Sequence, residues 1–386
     1  MRRRRAVVAA ALVAVALFAV PSASASRFLQ RGIFDDAQIL YGNPDKVFPT
    51  LKALKTQLIR VNLVWGGVNG VAKRRPANAA NPNDRAYDWS AYDRTVNYAA
   101  QHRIKVVFSV IGTPPWANGA AGVNVAPRNP LDLQRFAAAA AKRYSGSFAA
   151  PDGRLLPPVR QWLAWNEPNN PAFLRPQYRR VGSGYVAQSP IDYAKICNAI
   201  YKGVSITTLG ASKVACGVTS PRGNNEPTSA RPSLSPLAFL RGMKKAGAAR
   251  FDAYAHHPYY GRPTETPSTP PPPGKRGEAP TAITLGNIGT LIKEVTRLYG
   301  NKRIWVTEYG YQTRPPDPIY GVTLANQAKY LTEAHGIMKR HPRIDMMIWF
   351  LLRDERRALI EEGWQSGFLT ETGVKKPSFA AFARLR

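Results

Sequence analysis

Residues 159–169 of the chain read VRQWLAWNEPN, and this stretch contains both a strand signal and its end. The largely apolar run Val159–Trp165 is typical of a buried β-strand, and the letters NEPN supply loop-forming residues directly after it. A second stretch, RIWVTEYG at residues 303–310, repeats the arrangement, because an apolar run again leads into an acidic residue. We therefore predict that Glu167 and Glu308 lie at the carboxyl ends of two buried strands.

The same strand signal recurs along the chain and alternates with helical periodicity. Eight strand–helix units indicate parallel strands joined by helical crossovers, so the sequence predicts a (β/α)8 TIM barrel of the α/β class. An open doubly wound sheet is disfavoured, because no glycine-rich phosphate loop follows the first strand. Long segments after four of the strands are expected to decorate the C-terminal face of the barrel. These are residues 69–88, 112–129, 169–189 and 261–282.

The element boundaries follow from the apolar runs and from the loop-forming residues between them. The predicted strands are 32–36, 58–64, 105–111, 159–166, 213–218, 251–257, 303–308 and 345–351. The predicted helices are 45–56, 90–102, 131–144, 191–204, 236–246, 285–299, 324–340 and 378–385.

The first 25 residues have the three parts of a secretory signal peptide. Arg2–Arg5 is a basic segment, Ala6–Val20 is apolar, and Ala23–Ala25 ends in a small-residue cleavage signal. A membrane anchor is disfavoured, because fifteen apolar residues are short for a span, and no later segment is apolar enough to cross a bilayer. We expect cleavage after Ala25, a secreted extracellular protein, and one domain over residues 26–386.

The chain carries a formal net charge of +30. Such a field favours anionic partners, and an acidic polysaccharide is one candidate. Nucleic acid is not expected, because the lysines and arginines are spread through the predicted helices and loops rather than clustered in one module. The protein is expected to be a monomer.

Two cysteines occur in the 386 residues. Cys197 falls in a predicted helix and Cys216 in the strand that follows, so a disulfide and two separately buried thiols both remain open. Neither cysteine has a histidine or a second cysteine at ligand spacing, and the pair His256–His257 has no third ligand nearby in sequence. No metal site is predicted.

A wider set of residues gives the chain a resemblance to a known group of enzymes. Arg60, the WNEP motif at 165–168, the HPY motif at 257–259, the TEYG motif at 307–310 and Trp349 resemble a clan A retaining glycoside hydrolase of family 5 or family 39. The resemblance implies that Glu167 is the acid/base and Glu308 the nucleophile. Two carboxyls at strand ends suit that chemistry, and no cofactor is needed because both reacting groups are carboxyls.

Four further residues are expected to support this pair. Arg60 lies in an apolar strand, where a buried guanidinium needs a carboxylate partner, and Glu308 is the expected one. Asn166 is expected to contact the substrate 2-hydroxyl. His257 and Tyr259 are two residues apart, so both can lie on one face of an extended segment, with the tyrosine hydroxyl donating to Glu308.

Three tryptophans are expected to form apolar platforms for sugar rings. Trp349 resembles the aromatic floor of the clan, and Trp65 and Trp116 also follow predicted strands. One departure limits the comparison with family 5, whose members usually have a histidine at the end of the third strand. Here residues 111–116 read IGTPPW, which is closer to family 39.

The sequence therefore predicts a secreted retaining glycoside hydrolase that acts on an oligo- or polysaccharide. A transglycosidase with the same intermediate, and a catalytically inactive carbohydrate-binding barrel, are the alternatives. The sugar, the linkage and the choice between endo and exo action depend on loop shapes that the sequence does not fix.

Overall fold

A computed structural model describes residues 29–150, 152–273, 281–356 and 363–386. Eight parallel strands close into a barrel, and helices lie between successive strands, so the predicted (β/α)8 fold is confirmed. The predicted signal peptide at residues 1–25 lies outside the described residues. Within the described residues, no helix is both long enough and apolar enough to cross a membrane.

The barrel strands follow in the spatial order β1-β10-β9-β8-β7-β4-β3-β2, and β5 and β6 form a separate antiparallel hairpin. The strands are β1 (Gln30–Phe34), β2 (Leu58–Val64), β3 (Lys105–Ile111), β4 (Gln161–Ala164), β5 (Tyr178–Val181), β6 (Gly184–Ala187), β7 (Lys213–Thr219), β8 (Ala253–His256), β9 (Arg303–Tyr309) and β10 (Ile344–Phe350). The helices are α1 (Asp36–Ile39), α2 (Pro44–Ala53), α3 (Ser90–Gln101), α4 (Pro115–Asn118), α5 (Pro130–Arg143), α6 (Ser189–Thr207), α7 (Pro236–Lys245), α8 (Ile288–Tyr299), α9 (Leu324–Arg340) and α10 (Pro377–Arg384).

Two apolar layers hold the barrel together, one inside it and one between strands and helices. Side chains alternate along each strand, so in β2 Leu58 packs inside while Ile59 and Val61 pack against the helices. Arg60 falls on the inner face by the same alternation. The inner layer ends below the carboxyl ends of the strands, and the polar side chains of the strand ends lie above it.

The outer helices pack through the apolar stripes seen in the sequence. In α8, Ile288, Leu291, Ile292 and Val295 are all buried, and Leu285 lies in a short 3-10 turn before the helix. Several helices begin with a side chain that caps a backbone N–H, as Thr323 does for α9.

Three features were not predicted. The short helices α1 and α4 and the β5–β6 hairpin lie in segments that follow β1, β3 and β4.

Cys197 of α6 and Cys216 of β7 form a disulfide, with 5.9 Å between their Cα atoms, so the structure decides between the two alternatives left open.

Candidate active site

A cleft of about 990 Å³ opens at the carboxyl ends of the strands. This is the face on which the active sites of (β/α)8 enzymes lie. Glu167, Glu308, Asn166 and Tyr259 all line the cleft, so the structure brings together four of the residues that the sequence singled out. Arg60 and His257 are fully buried beneath them.

Glu308 is held by two donors, one on each carboxylate oxygen. The Arg60 Nη1 donates to its Oε1 at 2.7 Å, and the Tyr259 hydroxyl donates to its Oε2 at 3.0 Å. Both contacts were predicted. A guanidinium and a phenol at these distances stabilise a charged carboxylate, as a nucleophile requires.

An irregularity in β9 explains why Glu308 faces the cleft. Trp305 packs inside the barrel, so strict alternation would turn residue 308 outward. From Val306 to Tyr309 the strand advances three residues while its partner β10 advances two, from Met347 to Trp349. This bulge adds one residue to β9 and re-aims the glutamate, a recurrent use of bulges beside active sites.

Glu167 lies in a different environment, in which His257 is its hydrogen-bond partner. The His257 Nδ1 lies 2.9 Å from Glu167 Oε1, and its Nε2 lies 3.2 Å from Arg60 Nη1. A guanidinium can only donate, so Nε2 accepts and the ring proton is on Nδ1, which donates to Glu167. Burial also lowers the pKa of His257 to about 3, so the ring is neutral.

Burial raises the pKa of Glu167 to about 7. Removal of the carboxyl from water outweighs the hydrogen bond from Asn170 and the charge of Arg60, which both act in the opposite direction. Oε1 accepts the shorter hydrogen bond, from His257 at 2.9 Å, and Oε2 accepts the longer one, from Asn170 at 3.3 Å, so Oε2 is the better position for the proton of the neutral acid. Glu167 is therefore suited to hold a proton near neutral pH, and Glu308 is suited to carry a charge.

The backbone after β4 turns sharply to deliver Asn166 and Glu167 into the cleft. Trp165 has φ 72° and Glu167 has φ 37°, both in the left-handed region that residues other than glycine rarely adopt. The Glu167 N–H donates to Val218 O at 2.8 Å, and the Ser109 hydroxyl donates to Trp165 O at 2.8 Å. Backbone in this region is costly and clusters at functional sites.

Asn166 shares Arg60 with Glu308. The Arg60 Nη2 donates to Asn166 Oδ1 at 2.7 Å, which leaves the Nδ2 of Asn166 to donate to a ligand in the cleft. Arg60 itself lies over the ring of Phe34, with 4.4 Å from its Cζ to the ring centroid. One guanidinium thus fixes side chains from three other strands or strand ends.

The side chains of Glu167, His257 and Glu308 are close enough to raise the question of a metal. One ligand atom from each lies within 4.8 Å of the others. Arg60 already contacts both Glu308 and His257, so its positive charge balances the carboxyls at this position. A metal ion there would be repelled by that charge, which disfavours a metal site.

The prediction of three tryptophan platforms is corrected by the structure. Trp349 is fully buried and points toward the helices, where it stacks on Phe368 and its Nε1 donates to Ser366 O. Trp65 is also fully buried and stacks on Phe136 of α5. Trp116 packs edge-on against Trp65 rather than lining the cleft. Alternation along β10 explains the first case, because Trp349 shares a face with Met347 of the outer layer.

Two aromatic residues that were not predicted line the cleft instead. Phe350 follows Trp349 and therefore points into the barrel, and Trp364 is 45% exposed at the rim. Their rings lie 5.6 Å apart, and Trp364 also contacts Tyr259. The sequence signal for Phe350 was the alternation of β10, whereas Trp364 lies in a loop that has no periodic pattern.

His256 points away from the cleft, opposite to its neighbour His257. Its Nδ1 lies 2.8 Å from Thr219 Oγ1, and its Nε2 lies 2.9 Å from the backbone oxygen of Ile283. Neither of these two partners lines the cleft. The Ile283 carbonyl can only accept, so the Nε2 carries the ring proton. His256 therefore joins β8 to the segments that pack against it.

Comparison with known proteins supports the resemblance found in the sequence. Residues 282–378, which include Glu308, match the family model described as glycosyl hydrolase catalytic core. A comparison with curated protein sequences finds no match. The fold is similar to that of a family 39 glycoside hydrolase from Bacteroides cellulosilyticus WH2, with a TM-score of 0.64 and 19% identity over 94% of this chain and 64% of that chain.

Two further solved structures have the same fold. A glucosidase from Croceicoccus marinus gives a TM-score of 0.59 and 14% identity over 87% of this chain and 62% of that chain. A monomeric beta-xylosidase from Caulobacter crescentus CB15 gives a TM-score of 0.57 and 15% identity over 93% of this chain and 68% of that chain. The chain thus spans less than two thirds of the length of the first two proteins. The family model thus matches the part of the chain that contains Glu308, and the solved structures show the shared barrel fold.

Proposed function

We propose that the chain is a retaining glycoside hydrolase that cleaves O-glycosidic bonds by double displacement. The observation that carries the proposal is the contrast between two neighbouring carboxyls. Burial raises the pKa of Glu167 to about 7, so this carboxyl holds a proton near neutral pH, while Glu308 lies between a guanidinium and a phenol. Their nearest ligand atoms lie within 4.8 Å, which fits the separation of about 5–5.5 Å in retaining enzymes and is too short for an intervening water.

Each step of the proposed reaction has a residue to perform it. Glu308 attacks the anomeric carbon while the Glu167 Oε2–H protonates the leaving oxygen, and a covalent glycosyl-enzyme forms. Glu167 then removes a proton from water, which displaces Glu308. Arg60 and Tyr259 hold the Glu308 oxygens in position, and the Asn166 Nδ2 donates to the 2-hydroxyl of the bound sugar.

Two displacements should preserve the anomeric configuration of the substrate. Proton NMR of the first product released from a suitable aryl glycoside should therefore show the configuration of the starting sugar. A substrate screen with polysaccharides and aryl glycosides would supply that compound. Initial formation of the opposite anomer would contradict the assignment, and transfer to an added sugar in preference to water would identify a transglycosidase.

We further propose that the protein acts outside the cell as a single catalytic domain over residues 26–386. The basic, apolar and small-residue segments of residues 1–25 support export and cleavage. Expression of the whole chain in a secreting bacterial host should give an extracellular protein whose first residue is Ser26. Intact Arg2–Arg5 on the extracellular protein, or retention of the protein in the cell, would contradict the proposal.

A further inference from the structure

More carboxyl than cationic side chains line the cleft, which is the reverse of the balance in the chain as a whole. The chain carries +30, yet Arg222 is the only cationic side chain among the described residues that line the cleft. The Arg222 Nη2 lies 4.0 Å from Glu265 Oε2, and its Nη1 donates to the backbone oxygen of Tyr260. Six carboxyl side chains line the same space, namely Asp35, Asp36, Glu167, Glu308, Asp317 and Glu355.

Asp36 lines the cleft close enough to Arg60, the cation that holds Glu308, for the charge of Arg60 to act on its pKa. Phe34 of β1 pairs with Arg60 of β2, and two residues after Phe34 the chain begins α1 at Asp36. The Asn62 N–H donates to Asp36 Oδ1 at 3.2 Å. This bond holds Asp36 beside the carboxyl-terminal half of β2, in the wall of the cleft that also contains the two glutamates.

The charge of Arg60 acts to lower the pKa of Asp36, but it does not offset the effect of burial. Arg60 is engaged by Glu308 and Asn166, each at 2.7 Å. Asp35 is satisfied by three backbone N–H groups, those of Gln38, Leu352 and Arg353. Burial raises the pKa of Asp36 to about 7 despite its hydrogen bonds with Asn62. A positively charged donor in the cleft would offset this cost of burial.

A second feature of the cleft also calls for a polar ligand. Ser366 lines the cleft and is 1% exposed, and its hydroxyl has no hydrogen-bond partner among the described residues. Buried polar atoms are normally paired, so a ligand group would satisfy this one. The cleft therefore offers both an unpaired hydroxyl and an excess of negative charge to whatever saccharide binds in it.

We propose that the cleft binds a saccharide whose sugar units carry protonated amino groups, and that Asp36 accepts a hydrogen bond from one such ammonium group. The proposal rests on the proposed function, because it names the substrate class of the same cleft. A uronate unit would place a further negative charge among the six carboxyls. The anionic partner expected from the net charge is thereby directed to the outer surface and away from the cleft.

The test compares two tetramers that differ at one position of each sugar. The β-1,4-linked tetramers of glucosamine and of glucose carry an amino group or a hydroxyl at the same carbon. Calorimetry is run on Glu308→Gln protein, to prevent turnover, in buffer near pH 7, where the Asp36 carboxylate and the sugar ammonium groups are both populated. We expect the glucosamine tetramer to bind at least about tenfold more tightly, as a charge-assisted hydrogen bond would give. The basic surface opposes non-specific binding of a cationic ligand.

Addition of Asp36→Asn should reduce the preference to within about threefold, because the amide still accepts from Asn62 but carries no charge. Asp45→Asn is the matched control, since Asp45 is an exposed carboxyl of α2 outside the cleft, and it should keep the full preference. Equal affinity for the two tetramers, tighter binding of the glucose tetramer, binding of neither, or a preference that survives Asp36→Asn would overturn the proposal.

The two proposals fail in different ways. Cleavage of aryl glycosides by the wild type, together with equal affinity for the tetramers, would leave the hydrolase standing and remove the amino-sugar specificity. A preference that depends on Asp36, together with no cleavage of any glycoside, would leave the specificity standing and remove the hydrolase.

Discussion

Glu308→Ala should lower kcat/KM by at least about 10⁴-fold on every substrate that the wild type cleaves, as expected when one member of a concerted catalytic group is removed. The loss should be general, because no covalent intermediate can form whatever the leaving group is. Added azide should restore turnover by entering the vacated space, and NMR should show a glycosyl azide of inverted configuration.

Stability must be measured beside activity, because Glu308 is the buried partner of Arg60. Loss of one member of a buried ion pair costs about 3–5 kcal/mol. Glu308→Gln keeps the shape of the side chain and an oxygen for Arg60, and it should be as inactive as the alanine variant with a smaller loss of Tm. Glu371→Ala removes an exposed glutamate and should change neither property. Retained activity in both Glu308 variants would remove it as the nucleophile.

The fold was accessible from sequence because each barrel strand carries its own apolar signal. The predicted limits of β2 and β3 match the structure, and those of β4 and β8 are too long at both ends. In β4 the excess includes Trp165 and Asn166, which look like strand residues in composition but form the turn after it. Apolar composition indicates burial, and it does not by itself distinguish the end of a strand from a buried turn.

The contact between Arg60 and Glu308 was also accessible from the sequence, for a physical reason. A charged residue within an apolar strand must find a partner of opposite sign, and Arg60 and Glu308 satisfy each other at 2.7 Å. The aromatic floor was missed because a shift of one residue along a strand moves a side chain to the opposite face. Trp349 was predicted from the resemblance to the aromatic floor of the clan, whereas Phe350 occupies the inner face.

Charge in the cleft could not be read from composition. The net charge of +30 is a sum over the whole chain, whereas the cleft collects carboxyls from the ends of several strands and from the loops beyond them. Asp36 and Glu355 are far apart in sequence, and they line the same cleft only because the barrel closes. Their arrangement depends on tertiary structure, and so does the sign of the field that a substrate meets on entry.

Glu167→Gln should separate substrates by their leaving groups. Protonation of the leaving oxygen contributes about 10²–10⁴-fold, so glycosides with poor leaving groups should lose about that much in kcat/KM. Dinitrophenyl glycosides need little protonation and should be cleaved in the first step at close to the wild-type rate. Their second step should then be slow, and a burst of dinitrophenol should precede steady turnover. An equal loss on both classes of substrate would contradict the role of acid.

The pH dependence of the same variant tests the environment of Glu167 directly. In the wild type, kcat/KM should fall as the pH rises through about 7, because the folded protein then loses the proton that the leaving group needs. The free energy of unfolding should also fall as the pH rises from about 4.3, where an unfolded glutamate loses its proton, to about 7, since the folded state retains that proton over this range. Glu167→Gln cannot ionise, so the basic limb of kcat/KM should disappear from its profile. The fall in the free energy of unfolding should become shallower, and the part that remains is due to Asp35 and Asp36, whose pKa values burial also raises, to about 6 and about 7. A basic limb that survives in the variant would assign the titration to another group and leave Glu167 without its role as the acid.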